Sequence, residues 1–179
     1  TMMSDPANNI FLIGPMGSGK TSIGQRVAAL LGLQFFDCDH ELEKQTGASV
    51  SLIFDVEGEE GFRTRETRML DDITSRSGVL VATGGGVILR AENRRLLGER
   101  GTVVYLRTSV SRQLKRLARD RSRPLLQAGD RKKKLQNMAL ERNPLYQELA
   151  DIEFPAQNKA LDTVAQQLAQ TIRNHVNTE

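Results

Sequence analysis

The 179-residue chain has no tryptophan, two tyrosines, six phenylalanines and a single cysteine. With aromatics at 4% of residues there is no stacking platform of the kind that holds single-stranded bases, so nucleic acid is not expected as a partner. One cysteine, Cys38, excludes an internal disulfide and fits a reducing compartment. As a small buried apolar side chain it needs no chemical role. No apolar run approaches the length of a membrane span. The opening residues TMMSDPANN carry neither the basic nor the apolar stretch of an export signal, so a cytoplasmic protein is expected. Nor does either charge sign dominate, the net charge being +3. The balance is uneven, however: Arg90 to Lys134 holds 15 basic against 4 acidic residues, and residues 1–89 hold 7 against 12. A phosphate-rich small ligand suits the basic part.

What is present is an alternation. Short apolar or β-branched runs, NIFLIG (9–14), LQFF (33–36), VLVAT (79–83), TVVYL (102–106) and DIEF (151–154), read as strands. Between them lie helical patterns: Ile23, Val27, Leu30 and Leu31, then Glu-rich segments to about Arg76, then helices near 109–118 and 130–150. Leu161, Val164, Leu168, Ile172 and Val176 mark a closing amphipathic helix. Five strands interleaved with helices predict a three-layer α/β/α fold on a five-stranded parallel sheet. The length predicts one domain.

The strongest chemical signal follows the first strand. GPMGSGKT, Gly14 to Thr21, fits G-x-x-x-x-G-K-[ST] in full and lies between a strand and a helix, as that motif requires. Its glycines let backbone N–H groups turn toward phosphate oxygens, the helix N-terminus adds positive partial charge, and Lys20 reaches the outer phosphates. Thr21 offers a hydroxyl to Mg²⁺. A nucleotide is therefore expected, but the motif does not say what accepts the phosphoryl group.

Four further stretches bear on the acceptor. FFDCDHEL (35–42) sets Asp37 and Asp39 at a strand end, where residues two apart share a face; the pair suits one ion, one substrate or water. TGGG, Thr83 to Gly86, follows the third strand at the edge where parallel sheets bind ligands, and is either bare backbone for a substrate or a flexible turn. GFRTRE (61–66) puts Arg63 and Glu66 on one helical face, as an ordinary surface ion pair or as an arginine oriented toward an anion. RSRPLL (121–126) is a solvated connector or a lid that brings Arg123 onto phosphates. ERNPLY (141–146) adds Arg142, and RKKK (131–134) reads as a solvated helix face.

In this order, GPMGSGKT, DCD, GFRTRE, TGGG, RPLL and RNPLY resemble the shikimate kinase family, P-loop kinases related in fold to nucleoside monophosphate kinases. The resemblance runs from about Ile10 to Phe154. It implies a single kinase domain over residues 10–177, a lid near 119–130 and a substrate-binding helical segment near 38–77. It implies that Gly17, Ser18, Gly19, Lys20, Thr21 and Ser22 hold ATP phosphates, with Thr21 on Mg²⁺ and Asp37 orienting the metal through water. Asp39 would accept a shikimate hydroxyl's hydrogen bond and assist its deprotonation. Arg63 and Arg142 would grip the carboxylate, Glu66 would steady Arg63, and Gly84, Gly85 and Gly86 would face the ring. Arg123 would be the lid cation, Arg116 would pack on adenine near Gln157 to Lys159, and Phe54 and Phe62 would wall the shikimate pocket. The implied partner is shikimate; no interface is evident in the sequence, so a monomer is the default expectation, and the composition predicts neither nucleic acid nor membrane as a partner.

The residue types suit that chemistry. Guanidinium forks match a carboxylate better than a lysine point charge does, and phosphoryl transfer needs positioning and charge compensation more than a strong base. The stretch after the third strand carries no acid, so Asp37 is the candidate to orient a metal. Two alternatives share the P-loop: a gluconate-type sugar-acid kinase, and a nucleotide-dependent binding protein without catalysis.

Overall fold

The structure, a computed structural model, describes residues 8–118 and 130–178. Five strands, β1 (Ile10–Ile13), β2 (Gln34–Asp37), β3 (Val79–Ala82), β4 (Thr102–Arg107) and β5 (Ile152–Pro155), form one sheet in the order β2-β3-β1-β4-β5. Every pairing is parallel. Among the described residues the helices are α1 (Lys20–Leu31), α2 (Cys38–Thr46), α3 (Val50–Thr74), α4 (Ala91–Arg100), α5 (Val110–Leu117), α6 (Arg131–Leu149) and α7 (Leu161–Asn177). None of them is long and apolar enough to cross a membrane.

Strand periodicity distributes the core. Phe11, Ile13, Val79, Val81, Val103 and Tyr105 point to one face and pack on Leu42, Leu70, Leu97 and Tyr146 of α2, α3, α4 and α6. Ile10, Leu12, Leu80, Val104 and Leu106 point to the other and meet Val27 of α1 and Leu168 and Ile172 of α7. Because helices cover both faces, β1, β3 and most of β4 are apolar at consecutive positions. The edge strand β5 alternates instead, burying Ile152 and Phe154 while Glu153 and Pro155 face out. Gly24 lets α1 lie close on the sheet, since a Cβ there would meet the Phe35 ring at 2.8 Å.

The expected five-stranded parallel sheet is thus observed, with three departures in detail. Strand β2 ends at Asp37, and Asp39 belongs to α2, so the two carboxylates do not share a strand face. The long helix α3 is broken at Gly58 (φ 74), a left-handed conformation that glycine tolerates. Helix α4 has no counterpart in the sequence reading. AENRRLLGER offers only Leu96 and Leu97 as bulky apolar residues, and its buried face is completed by Asn93, whose amide donates to the Val87 carbonyl at 3.0 Å.

The strand order sends the chain to one side of β1 for β2 and β3 and to the other for β4 and β5. The crevice this leaves lies beyond the carboxyl ends of the strands, where α/β sheets take ligands.

Candidate active site

The loop between β1 and α1 is built on glycine. Gly17 (φ 79) and Gly19 (φ 89) are left-handed, and Gly19 caps α1 with no side-chain hydrogen bond to its first N–H groups. Backbone donors at the start of α1 therefore face the crevice without a competing side-chain cap. Lys20 is buried and folds over its own loop, donating from Nζ to the carbonyls of Gly14 at 2.6 Å and Pro15 at 2.9 Å and reaching Ser18 Oγ at 3.4 Å.

Asp37 stands beside it at the end of β2. One of its oxygens accepts the His40 N–H at 3.0 Å and caps α2, while the other accepts the Thr21 hydroxyl at 2.6 Å. The N-cap role at this strand end falls to Asp37. Asp39, in the first turn of α2, lines the cavity instead. Between them Cys38 is fully buried, and burial, reinforced by the Glu66, Asp39, Asp37 and Glu41 carboxylates, pushes its thiol well above the ordinary range. It remains a neutral packing residue, consistent with its reading from sequence.

The Arg63–Glu66 pair is not on the surface. Arg63 Nη1 meets Glu66 Oε1 at 3.0 Å, and the Glu66 side chain is 1% exposed. Burial raises the Glu66 carboxyl above its usual range, against the pull of the Arg63 charge and hydrogen bond. Helical spacing alone could not reveal this, because the burial comes from other elements, with the TGGG turn lying against both side chains. A Cβ on Gly86 would overlap the Arg63 guanidinium, one on Gly84 would lie 3.1 Å from Glu66 Oε2 and 3.5 Å from Asp39 Oδ1, and one on Gly85 would lie 3.6 Å from Arg142 Nη1. Gly86 makes room for Arg63 and Gly84 for Glu66, while Gly85 lies at ordinary contact distance from Arg142.

These groups enclose a cavity of about 480 Å³ lined by Gly17, Gly19, Lys20, Thr21, Ser22, Asp37, Asp39, Arg63, Glu66, Gly84, Gly85, Gly86, Arg116 and Arg142. Phe54 and Phe62 also line it, stacked at 4.4 Å, with the Arg63 guanidinium 5.1 Å from the Phe62 ring centre. Arg63 and Arg142 are both buried, and the Nε of each is buried without a hydrogen-bond partner. Two cationic groups so placed favour an anionic ligand. A second cavity, of about 610 Å³, adjoins Gly17, Ser18 and Arg116 on the far side of the loop and reaches Gln157, Asn158 and Lys159 beyond β5. Arg116 lies across Gly19, where a Cβ would come within 2.5 Å of its Nη1. Arg123 and residues 119–129 of the expected lid lie outside the described residues. The sequence reading passed over Tyr146, which donates to the Gly85 carbonyl at 2.5 Å; the available signal was its position one helical turn after Arg142.

A glycine-built loop that opens directly into an arginine-lined chamber defines a P-loop kinase with a small anionic acceptor. Comparison with known proteins narrows the class. A family model for shikimate kinase matches residues 16–173. A shikimate kinase of Actinobacillus succinogenes is 49% identical over 167 residues, covering 93% of this chain and 95% of that protein. The structure of a shikimate kinase from Acinetobacter baumannii in complex with shikimate superposes with a TM-score of 0.91 at 48% identity, over 94% of each chain. The chain belongs to the shikimate kinase family. A gluconokinase from Sinorhizobium meliloti, with a TM-score of 0.62 at 16% identity, shares the fold alone.

Proposed function

We propose that this enzyme transfers the terminal phosphoryl group of ATP to the 3-hydroxyl of shikimate, giving shikimate 3-phosphate and ADP, in the cytoplasm and as a monomer. Residues 10–177 would act as one kinase domain, with residues 119–130 as its lid. The observation that carries the reading is the pair of buried arginines in the chamber that also holds Lys20 and Asp39, neither Nε being hydrogen-bonded and that of Arg63 standing 3.8 Å from the Glu59 carboxylate. An acceptor carboxylate meets the hydrogen-bonding capacity of Arg63 and Arg142, and its ring lies against Gly84 to Gly86 and the Phe54–Phe62 stack. Asp39, in the same chamber, accepts the proton of the attacking hydroxyl as its oxygen bonds to phosphorus and the bond to the leaving diphosphate breaks.

Lys20 leaves the Gly14 and Pro15 carbonyls to follow the moving charge, and the N–H groups of Gly17 to Ser22 hold the phosphates. Arg123 closes over them from the lid. The base occupies the second cavity, between Arg116 and Gln157 to Lys159. Thr21 and Asp37 fit a hard cation: both offer oxygen, already 2.6 Å apart. No group of three or more metal-binding side chains occurs among the described residues, which suits an ion that takes most of its ligands from phosphate and water. Mg²⁺ held there would supply charge neutralisation to the phosphates.

The decisive experiment measures ADP formation with ATP, Mg²⁺ and either shikimate or gluconate. Turnover is expected with shikimate only; gluconate-dependent turnover, or none with either, overturns the reading. Two variants test the carboxylate grip. Arg142→Ala should weaken shikimate binding about ten- to a hundredfold, the scale of a lost charge-assisted hydrogen bond, with nucleotide affinity little changed. Arg63→Ala should do the same and also lower the melting temperature, because it leaves the buried Glu66 without its counter-charge. An equal loss of ATP affinity in both variants rules the assignment out. Gly86→Ala isolates geometry from charge. The φ of −94 at Gly86 suits alanine, but the new methyl would take the place of the Arg63 guanidinium. Shikimate KM should rise about tenfold, and the melting temperature should fall because the displaced guanidinium strains its buried pair with Glu66; an unchanged KM would show that the position of Arg63 does not matter.

A further inference from the structure

Three glycines in succession leave TGGG with more backbone freedom than any other tripeptide would, yet each carbonyl of the trio is held. The Gly84 carbonyl accepts the Val87 N–H at 3.1 Å and the Gly86 carbonyl accepts the Leu89 N–H at 3.1 Å, both within the turn itself. The Gly85 carbonyl is bonded from another element, by the hydroxyl of Tyr146 on α6 at 2.5 Å. Tyr146 is fully buried and its ring stacks on Tyr105 of β4 at 5.0 Å between centres, so the hydroxyl is fixed from behind. Gly85 lies where this matters: a Cβ on it would be 3.4 Å from the Met16 nitrogen of the P-loop and 3.6 Å from Arg142 Nη1. Burial raises the phenol's pKa, against the charge of Arg142 and its hydrogen bond to the same hydroxyl, so the group stays protonated, donating to Gly85 while it also steadies Arg142.

We propose that Tyr146 is a positioning residue for the acceptor, its hydroxyl holding the middle glycine of TGGG at a set distance from both Arg142 and the P-loop. Helix α6 thus contributes twice to one chamber, with Arg142 touching the acceptor and Tyr146, one turn on, fixing the surface opposite. Without the hydroxyl the Gly85 carbonyl loses its bond to α6, and the turn samples arrangements in which acceptor and phosphate are out of line. Small misplacements of this kind carry large kinetic penalties. The effect falls on the acceptor, because the phosphate-binding glycines belong to a different loop.

The inference rests on the acceptor reading above, and its test separates the two. Tyr146→Phe keeps the ring and removes the hydroxyl, and Tyr105→Phe trims the stacked partner as a control for packing. With shikimate, ATP and Mg²⁺, Tyr146→Phe should raise the KM for shikimate about tenfold and leave the KM for ATP within about twofold, while Tyr105→Phe changes neither. The rise in melting temperature produced by shikimate alone should shrink in Tyr146→Phe, which reads acceptor binding without turnover. An unchanged shikimate KM, or equal rises in both KM values alongside a lower melting temperature, overturns the positioning role. Absence of shikimate-dependent turnover in the unmodified protein instead defeats the acceptor reading itself.

Discussion

Lys20→Ala should lower turnover by about two to three orders of magnitude, the scale set by removing one preorganised charge from a phosphoryl-transfer site. Lys20 is held by the Gly14 and Pro15 carbonyls, which keeps the ammonium within the loop. When phosphates enter they offer a stronger, charged acceptor, and the side chain has only to turn on its flexible stem. Alanine removes that charge where negative charge migrates during transfer, and nothing else in the loop replaces it. The bond to the Gly14 carbonyl is buried and that to Pro15 partly so, and the carbonyls' loss of a partner should therefore also lower the melting temperature by several degrees. Rate of shikimate-dependent ADP formation and thermal melting, measured on the same preparation, check both halves. Near-normal turnover removes Lys20 from the mechanism, and a collapsed melt makes its role in holding the loop the larger one.

The sheet was legible because its strands are short, apolar and bounded by polar or glycine-rich stretches, and because both faces are covered, so neither register nor face had to be deduced. The P-loop was legible for a different reason: its left-handed glycines at 17 and 19 are required by backbone geometry, and such requirements leave a local signature. Helix α4 was not legible. Its packing uses an asparagine amide on the Val87 carbonyl, and no count of apolar residues anticipates a helix held that way. The burial of Arg63 with Glu66 is a tertiary fact. Residues three apart on a helix make the same pair whether water or a glycine turn lies opposite. The resemblance supplied the roles of Arg63, Arg142 and TGGG together, but the reason they belong together, Gly86 and Gly84 yielding space to Arg63 and Glu66 while Gly85 lies against Arg142, is visible only in three dimensions. The same holds for Tyr146, whose partner lies 61 residues away.

The two carboxylates of DCD were expected to look along one strand face, and the fold divides them instead, which sharpens what their replacement should do. Asp37 caps α2 and receives the Thr21 hydroxyl; Asp39 has no part in that cap and lines the acceptor chamber near Gly84. Asparagine is itself a good N-cap, so Asp37→Asn should keep α2 intact and remove only a negative charge beside Thr21. The expected result is a higher Mg²⁺ concentration for half-maximal rate, with much of the activity restored by added metal. Asp39→Asn keeps the size of the side chain but cannot take a proton. Turnover should fall by about two to four orders of magnitude, the range over which general-base assistance operates, and extra Mg²⁺ should not restore it. Neither variant should change thermal melting by more than a few degrees, since neither deletes a cap nor opens a cavity. A Mg²⁺ titration of steady-state rate in both variants, beside their melts, distinguishes the roles. If the two respond to metal alike, the carboxylates share one task and their separation by the strand-to-helix boundary has no chemical meaning. If Asp39→Asn turns over normally, the hydroxyl needs no base from this chain, and charge compensation by Lys20 and the lid is sufficient for transfer.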